Sequence, residues 1–286
     1  MPDRQKSILS LLCLLALTSF LTGCGVEAVS KNRLTCESPF DEDDYNLVNT
    51  ATEHTPAQEE PLITSRVNYY ANGQKKWEQM YKDGAKDGNW SHWYASGQLK
   101  SVTPYISNRV EGIRTEWYPD GQIKIQQQYK NNERHGKRFE WDQSGEKTKE
   151  GFFRDGKKDG KWKWWSDGAL EGEGAYKDDL QDGKWTCWFE DGSKFFEGTY
   201  KVGEQDGIWT YWNENKSKIE EGTYKVGEKD GIWTYWNENG SKIREGTYKV
   251  GEKDGIWTYW NGNGRVTRED FYEDGELIEE KIYSPE

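Results

Sequence analysis

Residues 197–215 read EGTYKVGEQDGIWTYWNEN, residues 221–239 read EGTYKVGEKDGIWTYWNEN, and residues 245–263 read EGTYKVGEKDGIWTYWNGN. The three stretches recur at a step of 24 residues, and the same phase extends in both directions through diverged copies. A tryptophan column runs through Trp93, Trp117, Trp141, Trp165, Trp188, Trp212, Trp236 and Trp260, with a single 23-residue step between Trp165 and Trp188. A second column holds Tyr81, Tyr105, Tyr129, Phe153, Tyr176, Tyr200, Tyr224, Tyr248 and Tyr272. A third holds a glycine, usually after aspartate, at 88, 112, 136, 160, 183, 207, 231 and 255. A period of this length sustained over so many copies marks a repeat architecture.

Each unit reads as two short strands. Gly207 to Trp212 is rich in β-branched and aromatic residues, which suit a pleated surface. Residues 213–216 form a turn, with glycine at its fourth position in siblings (Gly97, Gly121, Gly192, Gly240, Gly264) to supply a positive φ. The return strand covers about 218–225, and residues 226–231 are expected to turn the chain into the next unit. No segment shows an uninterrupted apolar period of helical spacing. The expected fold is all-β, an elongated antiparallel meander of about nine tandem 24-residue hairpins over residues 64–275, with a charged cap at 276–286 that blocks end-to-end strand pairing.

Strand alternation places Trp209 and Tyr211 on one face and Ile208, Thr210 and Trp212 on the other. A four-residue turn brings Gly222 and Tyr224 to the Trp209 face, where Gly222 leaves room for a neighbouring ring over the backbone; a bulge would change that parity. One hairpin alone is marginal in water, so rings 24 residues apart are expected to stack between units. The packing aromatics are taken as the Trp93-to-Trp260 column together with Tyr200, Tyr224 and Tyr248. A further column has Trp162, Trp185, Trp209, Trp233 and Trp257, but Arg114 and Arg138 in two early copies. A guanidinium can lie flat on rings, so this column is expected to continue as cation–π packing.

Only 33% of the 286 residues are hydrophobic, yet 15% are aromatic, with 16 Trp and 17 Tyr. Stability must therefore come from rings, not from a thick aliphatic core. The first 23 residues read as an export signal: Arg4 and Lys6, then an apolar stretch from Ile8 to Leu21, too short for a spanning helix. It ends in Leu21-Thr22-Gly23-Cys24, which resembles the lipobox of bacterial lipoproteins and implies cleavage before Cys24 and acylation of its thiol. Two or more acyl chains give stable anchoring. Residues 24–63 read as an acidic, disordered linker, including Asp41-Glu42-Asp43-Asp44.

The whole chain carries a net charge of −12; loss of Asp3, Arg4 and Lys6 with the signal leaves −13. That balance disfavours nucleic acid and anionic membrane surfaces as partners, so contact with the membrane is expected only through the lipid. Once Cys13 is removed and Cys24 lipidated, Cys36 and Cys187 remain, too few for a disulfide framework. Cys187 stands where siblings carry Tyr and is expected to fill space.

The pattern of Asp-Gly pairs, paired Trp, Asn-Gly turns and the Glu-Gly-Thr-Tyr-Lys strand resembles the MORN-variant repeats of bacterial proteins, including YwqK-type antitoxins, over roughly residues 66–275. The resemblance implies a hairpin array used for interaction or scaffolding. An exported lipoprotein is in the wrong compartment to neutralise a cytoplasmic toxin. No catalytic constellation, zinc site, P-loop or nucleophile elbow is present in the sequence, and His54, His92 and His135 fall at unrelated positions. No cofactor is implied. The expected function is that of a non-catalytic envelope lipoprotein, on the outer membrane if the cell is Gram-negative, presenting the array to a protein partner. Glycan or cell-wall binding through exposed Trp and Tyr, and an antitoxin or immunity role, stand as alternatives.

Overall fold

The computed structural model describes residues 60–284. The signal segment, Cys24, Cys36 and nearly all of the linker lie outside the described residues. From 61 onward the chain forms one unit, a single sheet of 22 strands. Each strand pairs antiparallel with its neighbours in sequence, as Gly207–Trp212 does with Lys218–Lys225, and that strand in turn with Glu228–Trp236. This is the expected meander. Three two-residue strands, Arg109–Val110, Lys157–Lys158 and Glu204–Gln205, are the leading ends of strands that resume one residue later.

Two turns alternate along the array. The longer one closes with Asn237 N donating to Ser241 O at 2.9 Å and Gly240 N to Asn237 O at 2.9 Å, while Asn237 Oδ1 accepts the amides of Asn239 and Ser241. Gly240 adopts φ +79°, and Lys216, its counterpart one unit earlier, is forced to φ +65°. Just beyond this turn the register slips between Tyr211 and Trp212, which leaves Ile219 unpaired as a bulge on the return strand. Trp212 pairs with Lys218, so the turn holds five residues, one more than expected; the bulge at Ile219 offsets that extra residue, and the expected parity of Gly222 and Tyr224 is kept.

The second turn is shorter than expected from sequence. It is confined to Val226-Gly227, at φ +51° and +79°, and the strand Glu228–Trp236 begins at once. The Asp-Gly pair therefore lies inside a strand. There Gly222 pairs with Trp233 but Thr223 pairs with Asp230, so Gly231, at φ +75°, and Ile232 bulge out of that pairing. A two-residue turn with both φ positive matches the twist of antiparallel strands, and siblings fill it with Asn131-Asn132 or Asp155-Gly156. Val202, Val226 and Val250 are β-branched residues in the left-handed region, with side chains 65–67% exposed. Nothing in their packing offsets a left-handed penalty of roughly 1–2 kcal/mol each. The triple variant Val202→Asn, Val226→Asn, Val250→Asn is expected to raise the urea midpoint, each site adding about 1 kcal/mol.

One face of the sheet carries the core. Trp162, Trp209, Trp233 and Trp257 are 0–1% exposed although no second layer covers them among the described residues. Each indole lies across a glycine of the preceding hairpin: Trp209 on Gly198, Trp233 on Gly222 and Trp257 on Gly246. Each Nε1 donates to the carbonyl one residue beyond that glycine, as Trp233 does to Thr223 O at 3.0 Å. Tyrosines fill the intervals edge-on. Trp233 meets Tyr224 at 5.0 Å and Tyr248 at 6.1 Å, and Trp257 meets Tyr248 at 5.0 Å, all with near-perpendicular planes. Edge-to-face pairs at such distances are favourable beyond the area they bury. At the C-terminal end the glycine position holds Asp270, 2% exposed, and Arg268 Nε lies 3.1 Å from its carboxylate. The ring ladder thus ends on an ion pair. The last strand, Glu276–Ile282, is exposed throughout.

Candidate interaction surface

The two faces of the sheet differ in chemistry. Tyr200, Tyr224 and Tyr248 lie on the ring face with Trp209, Trp233 and Trp257. The column Trp93, Trp117, Trp141, Trp165, Trp188, Trp212, Trp236 and Trp260 lies on the opposite face, half-buried throughout. It does not form the ring ladder: among the described residues its one ring–ring contact is Trp141 with Phe139 at 5.8 Å. Instead a lysine of the preceding unit sits over the indole, Lys194 over Trp212 at 5.4 Å, Lys218 over Trp236 at 5.9 Å and Lys242 over Trp260 at 5.2 Å. The two columns are equally periodic. Only the one opposite glycine has space for an indole to lie flat on the backbone.

Each of these lysines also binds the glutamate three residues on, in Lys194–Glu197, Lys218–Glu221 and Lys242–Glu245. Glu221 and Glu245 further accept the hydroxyls of Thr210 and Thr234 at 2.7 Å. Burial pushes these carboxyls upward, but bonds from Lys194 and Lys184 at Glu197, and from a lysine and a threonine hydroxyl at Glu221 and Glu245, outweigh it and hold all three below the ordinary glutamate range. A carboxyl held lower in the folded state contributes stability that is complete above its unfolded value and is lost as pH falls through the folded one. The urea midpoint is therefore expected to decline from about pH 4.5 downward, and Glu197→Gln, Glu221→Gln, Glu245→Gln together should flatten that decline.

On the ring face the cations lie over the rings. Lys86 is 4.3 Å above Trp90, Arg134 is 4.2 Å above Phe153, and Lys158 is 4.5 Å above Tyr176. Lys229 is 3.8 Å above Trp233, Arg244 is 4.0 Å above Tyr235, and Lys253 is 4.4 Å above Tyr272. Lys229 pairs with Glu220, whereas Lys86, Arg134, Lys158, Arg244 and Lys253 form no ion pair among the described residues. The acidic balance of the whole chain therefore hides a face on which cations outnumber their partners. Burial pushes the Tyr176 and Tyr224 phenols up to about 12, so both remain neutral donors at any physiological pH.

Arg114 and Arg138 do not continue the ladder as cation–π packing. Arg114 binds Glu116 at 2.7 Å; Arg138 binds Glu140 at 2.7 Å and Gln127 Oε1 at 3.4 Å. The reason is local. The position that is glycine under each indole is Gln127 under Arg138, and a carboxylate stands two residues along the same face. The glutamine takes the space a flat group would need, and the charge-assisted bond is the stronger contact.

One linkage was not expected from the sequence. Tyr70, Tyr94 and Tyr118 donate their hydroxyls to the carbonyls of Trp93, Trp117 and Trp141 in the following unit, at 2.8, 2.9 and 3.0 Å. The signal was a tyrosine at a fixed 24-residue step in the first three copies, where later copies have Asp142, Ser166, Phe189 or Asn213. Cys187 is 5% exposed and faces Gly172. His92 is half-buried beside Lys100 and Arg114, while His135 Nδ1 lies 3.4 Å from Asp155; His54 is outside the described residues. Among the described residues no three His, Cys, Asp or Glu side chains are grouped to hold a metal. A shallow cleft between two longer turns is lined by Ser241, Lys242, Trp260, Gly262, Asn263 and Gly264.

These features define a β-repeat protein built of hairpins, in which the rings of the later units pack on the unit before. A family model described as MORN repeat variant matches residues 86–107, 110–131, 181–201, 205–225 and 229–249. No curated protein matches the chain. Among solved structures it is similar, at 12% identity and a TM-score of 0.18, to a chain of the TcdB2-TccC3-Cdc42 crystal structure, over 73% of this chain and 13% of that one. The TcdB2-TccC3 structure gives the same identity and TM-score, over 73% of this chain and 14% of that one. A Bacteroides fragilis protein whose structure carries the description unknown function is 7% identical at a TM-score of 0.08, with 78% and 93% covered.

Proposed function

We propose that the chain is a non-catalytic cell-envelope lipoprotein, anchored through Cys24, whose array is a scaffold for a protein partner. The observation that carries this reading is the repetition itself. Near-identical copies present one surface several times, whereas catalysis needs different groups converging on one point. Repeated contacts to one partner add through effective concentration. Partner specificity is assigned to the diverged copies at residues 66–145, where Arg114, Arg138 and the three tyrosine links set the surface apart. The acidic segment after Cys24 is assigned the role of a spacer between membrane and array.

Crosslinking pull-down from the native envelope tests the scaffold. Excision of residues 221–244, one whole unit, is expected to weaken capture gradually, while scrambling the exposed residues of 66–145 abolishes it. The opposite order, or no captured protein, removes the reading. Cys24→Ser is expected to abolish incorporation of labelled palmitate and move the protein from the membrane pellet to the soluble fraction. The half-buried Trp260 beside its cleft favours one second reading, stacking on a cell-wall glycan. Tryptophan emission that does not shift with any wall polysaccharide removes it.

A further inference from the structure

The ring face between residues 134 and 158 carries charge that the packing of the array does not neutralise. Four cations meet there. Arg134 lies over Phe153, and Lys158 lies over Trp162 at 5.0 Å and Tyr176 at 4.5 Å. Arg138 stands opposite Gly151 across one strand pair and Lys149 opposite Glu140. Among the described residues Glu140 is the one carboxylate shared within the group, 2.7 Å from Arg138 and 3.6 Å from Lys149. Burial, followed by the charges of Lys149, Arg134 and Arg138, holds the Lys158 ammonium below its ordinary range, and only Asp179 among the larger influences opposes them.

The other face shows what this chain does when a lysine serves folding alone: a glutamate three residues on neutralises it, in unit after unit. At residues 134–158 the surplus is left standing on an aromatic floor. Like charges so arranged repel one another, and that repulsion is relieved by an anionic occupant.

We propose that this locus docks an acidic, extended polypeptide segment of the partner, laid along the array across its strands; the proposal rests on the scaffold reading above and supplies the chemistry of its partner. The spacing favours a polypeptide. Arg134 and Lys158 occupy the same place in successive units, two strands or about 9.6 Å apart. An extended polyproline-type chain advances about 9.3 Å in three residues, so a carboxylate at every third position meets one cation per unit.

The probe is a fluorescein-labelled peptide of repeated Glu-Pro-Pro, titrated against the full chain at about 0.15 M salt and followed by anisotropy. Binding is expected, weakening as salt rises. The double variant Arg134→Gln, Lys158→Gln should lose about tenfold or more in affinity, the charge-keeping Arg134→Lys, Lys158→Arg should retain most of it, and Lys218→Gln, Lys242→Gln on the opposite face should not change it. Far-UV spectra and melting of the variants separate lost binding from lost fold. Absence of binding, equal loss from the two faces, or equal binding of a peptide with its glutamates clustered at one end overturns the proposal. So does the finding that phosphatidylglycerol vesicles or polygalacturonate, and not the peptide, bind through Arg134 and Lys158. A crosslinked partner that the Arg134→Gln, Lys158→Gln chain still captures removes this inference and leaves the scaffold; peptide binding with no captured protein does the reverse.

Discussion

Trp233→Ala is expected to destabilise the array by about 3–5 kcal/mol, whereas Trp236→Ala, three residues along the same strand, should cost well under half of that. Trp233 is wholly buried with Tyr235 and Trp257 in one cluster, against which Tyr224 and Tyr248 pack. Its removal opens a void between two hairpins and strips Thr223 O of its donor. Trp236 is half-buried, and its principal neighbour is the Lys218 ammonium, which water can replace. The damage is also expected to be local in a way a globule's would not be. Stability in a repeat array is close to a sum of units and nearest-neighbour interfaces. Losing one interface should therefore split the urea transition, followed by far-UV dichroism, into two phases or broaden it. A single sharp transition for Trp233→Ala, or equal losses at 233 and 236, would contradict the assignment of the core to one tryptophan column.

Gly222→Ala is the second large effect, about 2–3 kcal/mol. A Cβ built at Gly222 would lie 2.1 Å from Cδ2 and 2.3 Å from Cε2 of Trp233, atoms of a rigid, buried ring that cannot swing aside. The cause is overpacking and not backbone strain, since the left-handed glycines of the chain do not include Gly222. Gly231→Ala provides the contrast: φ is +75° but nothing lies within 4 Å of the added carbon, so the cost is conformational, about 1 kcal/mol. The pair Gly222→Ala, Trp233→Ala should be less damaging than the sum of its singles, because the methyl occupies part of the space the indole vacates. Additive losses in that cycle would show that the two residues do not meet.

Repeat number, strand polarity and hairpin phase follow from the sequence alone, because a 24-residue step in three independent columns leaves one way to fold successive units. The glycine at the fourth turn position was legible for the same reason: its φ is a local demand, as Lys216 at +65° shows by exception. The role of the Asp-Gly pair was not. A turn and a bulge both call for a left-handed glycine, and only the pairing of Thr223 with Asp230 distinguishes them.

Which tryptophans are buried also lay beyond the sequence, since both columns repeat equally well and burial depends on what the next hairpin sets opposite. The indole of Trp233 is buried because cross-strand register puts Gly222 beneath it; Trp236 meets Lys218 and stays half-open. Charge behaves likewise. The amino-acid composition determines a net of −12, but strand alternation and bulges sort that charge into one face of neutral Lys–Glu pairs and another of cations resting on rings. Net charge is a property of the chain, whereas the field a partner meets is set by which side chains share a face.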